Sequence, residues 1–421
     1  MTLRSSALCL LVVVALGCAR DTTGYDGVYR RSVRSSIRSI ERSTGRTFTQ
    51  TPKLEERTRD EVRTFMEQAF AEQISANELR GIESAYKRLG MIPQTMDLRA
   101  VYLELLAEQV VGYYNPADDV LYIVRDAPRD FIGVTIGHEL IHALQDQHFP
   151  LDSLERLKKS NDRRTAAQAA VEGYAVWEQL AASTGLSNFA NATPGGWEGV
   201  RRAIRDNQET MPILASVPTL LRETLIFPYL SGAEHIKSLK ERTSSTWPFD
   251  SLPESTEQVL HADRYFGKRD HPTEVTFPAP RTGSAFYDGD LGEFETRMFL
   301  YEHSRDLELS ARAAAGWDGD RYVLVTLPSN RDAIAWATVW DSAVDAAEWV
   351  DALETVLPKR YKGLKRVTAN TTLRRFEGAG RTVEVRVVTR GGRPVVLLTD
   401  VPAGVAADLV DPERIQLSPE V

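Results

Sequence analysis

The sequence predicts an α+β protein: a mostly helical first domain that carries a small β-hairpin, followed by a smaller α+β domain at the C-terminus. Apolar residues follow helical periodicity through most of residues 51–277, with two strand-like runs on either side of an Asn-Pro turn. From residue 284 onward, apolar and polar residues alternate between glycine-rich turns, which is typical of a sheet. Two prolines and a glycine in residues 278–283 indicate the boundary between the domains.

The chain begins with the pattern of a secretory signal peptide. Arg4 precedes an apolar run of about ten residues, which is shorter than a membrane span requires. The run ends in Gly17 and Cys18, an ending that resembles a bacterial lipobox, whose cysteine is lipidated. We therefore expect residues 1–18 to be a lipoprotein signal peptide and the protein to be exported and lipid-anchored in the bacterial cell envelope, on the periplasmic or outer-surface side. An ordinary signal peptide with an incidental cysteine is the alternative.

Composition limits the classes of function. The chain is 42% hydrophobic and 26% charged, as globular proteins usually are. Its two cysteines, Cys9 and Cys18, both lie in the signal segment, so the mature chain would have no pair for a disulfide and no thiolate metal site. A net charge of −8 argues against general nucleic-acid binding.

A polar, basic leader is predicted at residues 19–50. Its arginines recur every four residues from Arg30 to Arg46, with apolar residues between them. This spacing is typical of an amphipathic helix with a solvated basic face. The alternative is a membrane-proximal arm whose arginines touch anionic lipid headgroups near the anchor.

Periodicity and end signals place the elements of the first domain in order. The expected helices are residues 54–73, 77–89, 97–109, 130–147, 163–184 and 218–239. Gly90 is a stop signal, Asp130 is the expected N-cap of the fourth helix, and Pro228 is expected to interrupt the last. Between the third and fourth helices, residues 110–114 and 120–124 are expected to pair as a β-hairpin.

The most specific motif is the pentapeptide His138-Glu139-Leu140-Ile141-His142. Residues i and i+4 of a helix lie one turn apart on the same face, so the two imidazoles can bind one metal ion. Glu139 lies about 100° around the helix from His138, within reach of a water on that metal. Two imidazoles beside a general base are the arrangement of a zinc hydrolase, so we predict one Zn²⁺ per chain.

A catalytic zinc site usually has three protein ligands, and Glu172 is the best candidate for the third. It lies on the next helix, among Ala169, Gly173 and Ala175, and a carboxylate in such an apolar setting needs a partner. The small neighbours would let this helix approach the motif helix closely. The alternative is that Glu172 is an exposed helix residue.

Three other side chains fit the metal less well. His148 lies about 280° around the helix from His138, off the metal face. Glu178 lies on a different face from Glu172. Asp146, one turn after the motif, is better interpreted as a supporting or structural carboxylate.

The motif and the following Glu172-Gly173-x-Ala175 helix resemble the gluzincin metallopeptidases, the thermolysin-like group with two His ligands and one Glu. The run at residues 138–149 resembles a family of uncharacterised bacterial and archaeal secreted proteins with predicted metallopeptidase domains, as do residues 112–116, 227–229 and 255–261. The resemblance covers about residues 51–272. It implies a zincin-like metallopeptidase domain at residues 51–277, with His138, His142 and Glu172 as zinc ligands and Glu139 as the base.

Peptide hydrolysis also needs a donor for the developing oxyanion. The candidates are Tyr174, Tyr229, His261 and Tyr265, each with a purely structural role as the alternative. The hairpin before the motif could pair with an extended substrate, or could be structural alone.

The C-terminal domain is assigned to residues 284–415. Its expected strands are residues 321–326, 333–340, 368–376, 382–389 and 394–399, and its expected helix is residues 343–357. Its sequence contains no group of His and carboxylate residues with ligand spacing. We interpret it as a substrate-binding or partner-binding module, or as a structural cap.

These features predict an envelope-anchored zinc metallopeptidase. Its expected partners are a peptide or protein substrate and, through the N-terminal lipid, the membrane; no nucleic-acid partner is expected. The alternative is a catalytically inactive, zincin-like lipoprotein that binds or assembles other components of the envelope. The intact Glu139 favours the peptidase, because a purely structural metal site needs no general base.

Overall fold

A computed structural model describes residues 25–157, 160–184, 211–243, 247–328 and 330–418, together with the single residues 199, 202 and 206. Cys18 and the rest of the predicted signal peptide lie outside the described residues. The described part of the chain is an α+β structure with a small sheet of three strands, a large sheet of seven strands and a separate pair of strands. Among its helices, none combines the length and the apolar composition that crossing a bilayer requires.

Helices and strands occur in both halves of the chain. The described helices are α1 (Arg30–Thr44), α2 (Arg59–Gln73), α3 (Ala76–Leu89), α4 (Leu98–Gln109), α5 (Arg129–His148), α6 (Asn161–Thr184), α7 (Pro212–Ser216), α8 (Thr219–Arg242), α9 (Thr256–Leu260), α10 (Ala262–Tyr265), α11 (Gly292–Ser304), α12 (Leu307–Ala314) and α13 (Ala343–Arg360). The described strands are β1 (Lys53–Arg57), β2 (Gly112–Asn115), β3 (Val120–Val124), β4 (Glu274–Thr276), β5 (Ser284–Gly289), β6 (Trp317–Thr326), β7 (Asp332–Trp340), β8 (Lys365–Ala369), β9 (Leu373–Gly378), β10 (Arg381–Arg390), β11 (Arg393–Pro402) and β12 (Gln416–Ser418).

The small sheet has the strand order β1-β3-β2, with β1 parallel and β2 antiparallel to β3. The hairpin is therefore confirmed, and β2 lies at the edge of the sheet. The prediction of one helix over residues 54–73 is wrong at its beginning, because residues 53–57 form β1. Pairing with β3, more than sixty residues later in the chain, decides this segment, and a capping box between Thr58 and Glu61 begins α2 directly after it.

Helix α1 confirms the amphipathic pattern of the basic leader. Val33, Ile37 and Ile40 are buried against α5 and α6, while most of the arginines, such as Arg31 and Arg38, are exposed. The apolar face of the leader therefore belongs to the same core as the helix that carries the pentapeptide.

Helix α5 has twenty residues and carries the pentapeptide near its middle. The prediction of Asp130 as N-cap is wrong: Pro128 takes the cap position, and Asp130 lies in the first turn, where its charge favours the helix dipole. Around the motif, Leu140 and Ile141 are fully buried in a core shared with β3 and α6. This core fixes the rotation of α5 about its axis and therefore the direction in which His138 and His142 point.

Helix α8 passes through Pro228 without a break, so the expected interruption is wrong. Proline removes one backbone hydrogen bond from a helix interior, at a cost of about 3 kcal/mol. Close packing along α6, which makes the most extensive helix–helix contact of the described residues, keeps the segment helical.

The large sheet of the C-terminal region is antiparallel throughout, in the order β5-β6-β7-β11-β10-β9-β8. Helices α11 and α13 cover one face, and α3 of the first domain joins the same core. The single strand expected at residues 368–376 is wrong: β8 and β9 form a hairpin there. Its turn is closed by the Asn370 side chain, which accepts hydrogen bonds from the backbone N–H groups of Thr372 and Leu373 at 3.0 and 2.9 Å.

Candidate metal centre

Three side chains from α5 and α6 converge on one point. His138 Nε2 lies 3.1 Å from His142 Nε2 and 3.2 Å from Glu172 Oε2, and His142 Nε2 lies 3.4 Å from the same oxygen. The side chains of these residues are 12–15% exposed, so the group is accessible but mostly enclosed. The structure therefore brings together the three residues that the sequence predicted as ligands.

The separations of these atoms fit a metal. Bonds of about 2.0–2.1 Å at tetrahedral angles place ligand atoms about 3.3–3.4 Å apart. The three observed separations of 3.1, 3.2 and 3.4 Å lie close to that value. Two neutral imidazoles and one carboxylate could thus hold a divalent ion at their centre and leave its fourth position open.

The electrostatics of the group depend on the shared carboxylate. Burial disfavours the charged form of His142, but the charges of Glu172 and Glu139, with the hydrogen bonds to Glu172 and Gln145, together raise the pKa of His142 to about 9. Burial likewise disfavours the charged form of Glu172, yet the two imidazoles lower its pKa well below the ordinary value. Metal binding requires neutral imidazole, so uptake of a metal would release the proton that His142 and Glu172 share.

Gln145 holds one of the ligands in the correct tautomer, a role that sequence reasoning missed. The Nδ1 atom of His142 lies 2.8 Å from Gln145 Oε1, and Gln145 Nε2 donates to the backbone carbonyl of Val171 at 2.9 Å. Because the amide oxygen can only accept, Nδ1 must carry a hydrogen, so Nε2 is the nitrogen that would bind a metal once its own proton has left. Gln145 lies one turn after His142 and is fully buried, which is the signal that could have found it.

We expect Gln145→Ala to weaken the affinity for a divalent metal by about 10-fold to 100-fold, as the loss of such supporting contacts usually does. Competition with a chromophoric chelator measures the change. Gln147→Ala is the matched control, because Gln147 bonds to residues 49 and 50 and touches no ligand. Equal affinities for the two variants would contradict the role of Gln145.

Glu139 faces the same site from the next position on α5. Its Oε2 accepts a hydrogen bond of 2.8 Å from the backbone N–H of Tyr114, on the edge strand β2. Burial raises the pKa of Glu139 above its ordinary value, against the opposing effect of His142 and His138. The carboxylate is therefore anchored by one oxygen, while the other remains for a reactant.

Glycines set the position of Glu172. Helices α6 and α8 cross so closely that a Cβ on Gly173 would lie 2.1 Å from the carbonyl carbon of Gly232. A Cβ on Gly232 would lie 2.1 Å from the carbonyl oxygen of Ala169. The expectation that the small residues of α6 face the motif helix is therefore wrong for Ala169 and Gly173, which face α8, whereas Ala175 is buried in the core that contains the motif helix.

The close crossing brings Tyr229 of α8 to the site. Its ring stacks on that of His138 with 6.1 Å between centroids, and its hydroxyl lies within hydrogen-bonding reach of Glu172. The negative charge of Glu172, together with burial, raises the pKa of Tyr229 well above its ordinary value. Tyr229 is thus a neutral phenol that can donate a hydrogen bond beside the ligands.

The structure does not bring the other three proposed donors to this point. Tyr174 packs edge-on against Trp247 in an aromatic cluster. His261 contacts Glu293 and Arg297. The Tyr265 hydroxyl donates to the backbone carbonyl of Ser251. Each of the three therefore has a structural partner elsewhere.

A second group of carboxylates, Glu257, Asp270 and Asp341, also has oxygens close enough to share an ion. The guanidinium of Arg264 forms ion pairs with all three. Burial, followed by the charge of Glu293, raises the pKa of Glu257 to about 10, so its carboxyl is protonated at neutral pH. The negative charge of this group is therefore balanced by an arginine and a proton.

Comparison with known proteins concerns the C-terminal domain. A family model described as a domain of unknown function (DUF8575) matches residues 282–410, close to the range of 284–415 predicted for that domain. No curated protein matches the chain, and no solved structure matches it. The residues of the candidate metal centre lie outside the matched range.

Proposed function

We propose that the chain is a zinc-dependent peptidase whose first domain is zincin-like. The observation that supports this most directly is the triangle of His138, His142 and Glu172, with its 3.1–3.4 Å sides, beside an anchored Glu139. A structural zinc site would be closed by four protein ligands, whereas three ligands leave a position for a reactant. Export and lipid anchoring at Cys18 are part of the proposal and are supported by the sequence of residues 1–18.

The donor set favours zinc among the divalent metals. Two imidazoles with one carboxylate are ligands that zinc accepts in tetrahedral geometry, whereas Mg²⁺ and Ca²⁺ prefer oxygen alone. Zinc supplies Lewis acidity at such a site, because it acidifies a bound water and polarises a carbonyl.

Glu139 would act as the general base and then as the acid. A carboxylate whose pKa is raised by burial takes a proton from water more readily than an ordinary one. Since Oε2 is held by the Tyr114 N–H, Oε1 is the oxygen that receives the proton and passes it to the leaving amine. The charge of the tetrahedral species would meet the Tyr229 hydroxyl, which lies within hydrogen-bonding reach of Glu172.

The edge strand gives a place for the substrate backbone. Val111 accepts a hydrogen bond from Val124 across the hairpin, so by antiparallel alternation Gly112 and Tyr114 direct their backbone groups away from β3. The Tyr114 N–H is used by Glu139, which leaves the Tyr114 carbonyl and both backbone groups of Gly112 for an extended peptide. Such pairing would present a peptide bond beside the metal.

Tyr229→Phe is expected to lower kcat by about 10²-fold to 10³-fold with little change in KM, because the hydroxyl would act on the oxyanion and not on the bound peptide. Steady-state kinetics on a cleaved peptide measure both constants. Tyr265→Phe, which removes a hydroxyl bonded to Ser251 outside the site, is the matched control. A Tyr229→Phe enzyme with wild-type kcat would exclude the hydroxyl from the reaction.

A peptide library is the direct test of the proposal. The full chain is stripped with a chelator, reloaded with zinc and incubated with the library, and the products are identified by mass spectrometry. Cleavage that disappears with the metal and returns with zinc is the expected result. A zinc-loaded, folded protein that cleaves no peptide would overturn the peptidase and support an inactive binding scaffold.

A further inference from the structure

The Tyr114 side chain makes a second attachment between the edge strand and the motif helix. Its hydroxyl lies 2.9 Å from Asp119 Oδ1 at the hairpin turn and 3.0 Å from Asp146 Oδ2 near the end of α5. The other oxygen of Asp146 accepts the backbone N–H of Leu151 at 2.9 Å, which fixes the carboxylate itself. The one hydrogen of the hydroxyl is thus shared between a carboxylate of the hairpin and a carboxylate of the helix.

The two attachments of Tyr114 lie along one face of α5. Asp146 follows Glu139 by seven residues, which is two turns and about 10 Å along the helix. The backbone N–H of Tyr114 bonds to Glu139 at one end, and its hydroxyl meets Asp146 at the other. Because β2 is attached to α5 at two points, it can neither slide along the helix nor rotate against it. The backbone N–H of Tyr114 therefore keeps its hydrogen bond to the Glu139 carboxylate.

Further hydrogen bonds join the end of α5 to residues 47–50 and, through Gln50, to the hairpin turn. Gln147 accepts the backbone N–H of Thr49 at 2.8 Å and donates to the backbone carbonyl of Gln50 at 2.9 Å. The Gln50 side chain in turn donates to Asp119. His148 lies 3.0 Å from the backbone carbonyl of Thr47. The end of α5 therefore ties the hairpin and residues 47–50 into one unit.

We propose that Tyr114 and Asp146 are positioning residues for Glu139: they hold the edge strand so that its backbone N–H orients the base. The inference rests on the proposed peptidase function, which it deepens. Loss of the hydroxyl frees the strand from Asp146, and Glu139 then loses the fixed donor that presents its second oxygen to the reactant.

Tyr114→Phe keeps the ring and removes the attachment. We expect kcat to fall by about 10-fold to 100-fold, the scale on which small misplacements act, with KM and zinc content unchanged. Asp146→Ala should lower kcat by the same factor. Asp146→Asn should recover part of the loss, because an amide oxygen still accepts a hydrogen bond from the phenol. The double variant Tyr114→Phe/Asp146→Ala should have a kcat no lower than that of either single variant.

Backbone hydrogen exchange gives a readout that needs neither metal nor activity. The amide of residue 114 should exchange about 10-fold faster in Tyr114→Phe than in the wild type, since its bond to Glu139 would open more often. Tyr113→Phe is the matched control on the same strand: the Tyr113 hydroxyl is buried without a hydrogen-bond partner among the described residues. It should leave kcat and the exchange rate unchanged.

The outcomes separate the two proposals. A wild-type protein without peptidase activity refutes the proposed function, while the exchange rate still tests the attachment. If Tyr114→Phe retains both kcat and slow exchange, Tyr114 does not position the base. If Tyr113→Phe loses as much kcat as Tyr114→Phe, the effect belongs to the hairpin in general and the proposal is equally refuted.

Discussion

Replacing Glu139 with Gln should stop peptide hydrolysis and leave the metal in place. Glutamine has the same shape, and its amide oxygen can still accept the 2.8 Å hydrogen bond from the Tyr114 N–H. It cannot take a proton from water, so the general base is lost while the triangle of ligands is untouched. Proton transfer by a positioned side chain contributes about 10²-fold to 10⁴-fold, and we expect kcat to fall by that factor.

Two measurements decide this prediction together. Zinc content, from elemental analysis of the dialysed protein, should equal that of the wild type, while cleavage of a library-derived peptide should disappear. Glu241→Gln, an exposed change on α8, is the control for the loss of one carboxylate. Undiminished turnover in the Glu139→Gln protein would remove Glu139 from the mechanism and require another general base.

The local part of the site could be predicted from the sequence because its geometry is local. The distance from His138 to His142 depends only on the helix that contains them, and the hydrophobic pattern around them predicts that helix. Glu172 could be predicted for a chemical reason, since a carboxylate among alanines requires a partner. Neither inference needs to know how α5 and α6 cross.

The remaining part depends on which elements pack together, and periodicity does not contain that information. Tyr229 could not be separated from Tyr174 or Tyr265, because only the crossing of α6 and α8 brings its hydroxyl to Glu172. For the same reason the sequence did not predict β1, since its pairing with β3 overrides a helical pattern. Nor did it predict the role of Tyr114, whose bond to Glu139 is made by the backbone.

The glycines of the α6–α8 crossing should carry the largest cost in stability. Relieving a contact of 2.1 Å between a new Cβ and the Ala169 carbonyl oxygen requires the two helices to separate by about 1 Å, because backbone cannot rotate aside as a side chain can. Overpacking of this kind costs typically about 1–3 kcal/mol, and here we expect Gly232→Ala to reach or exceed the upper end. The same separation would lift Tyr229, one turn before Gly232, away from Glu172.

Gly133→Ala is the control, for which we expect a change in stability of the opposite sign. Gly133 also lies within a helix, α5, but a Cβ there would meet no atom within 4 Å. Alanine in an open helix position should stabilise the protein by about 0.5–1 kcal/mol, because it removes the entropy that glycine loses on folding. The midpoint temperature of thermal unfolding should therefore fall for Gly232→Ala and rise for Gly133→Ala. Zinc affinity should be reduced in Gly232→Ala alone. A Gly232→Ala protein as stable as the wild type would mean that α6 and α8 do not cross this closely, and that Glu172 and Tyr229 owe their positions to something other than this contact.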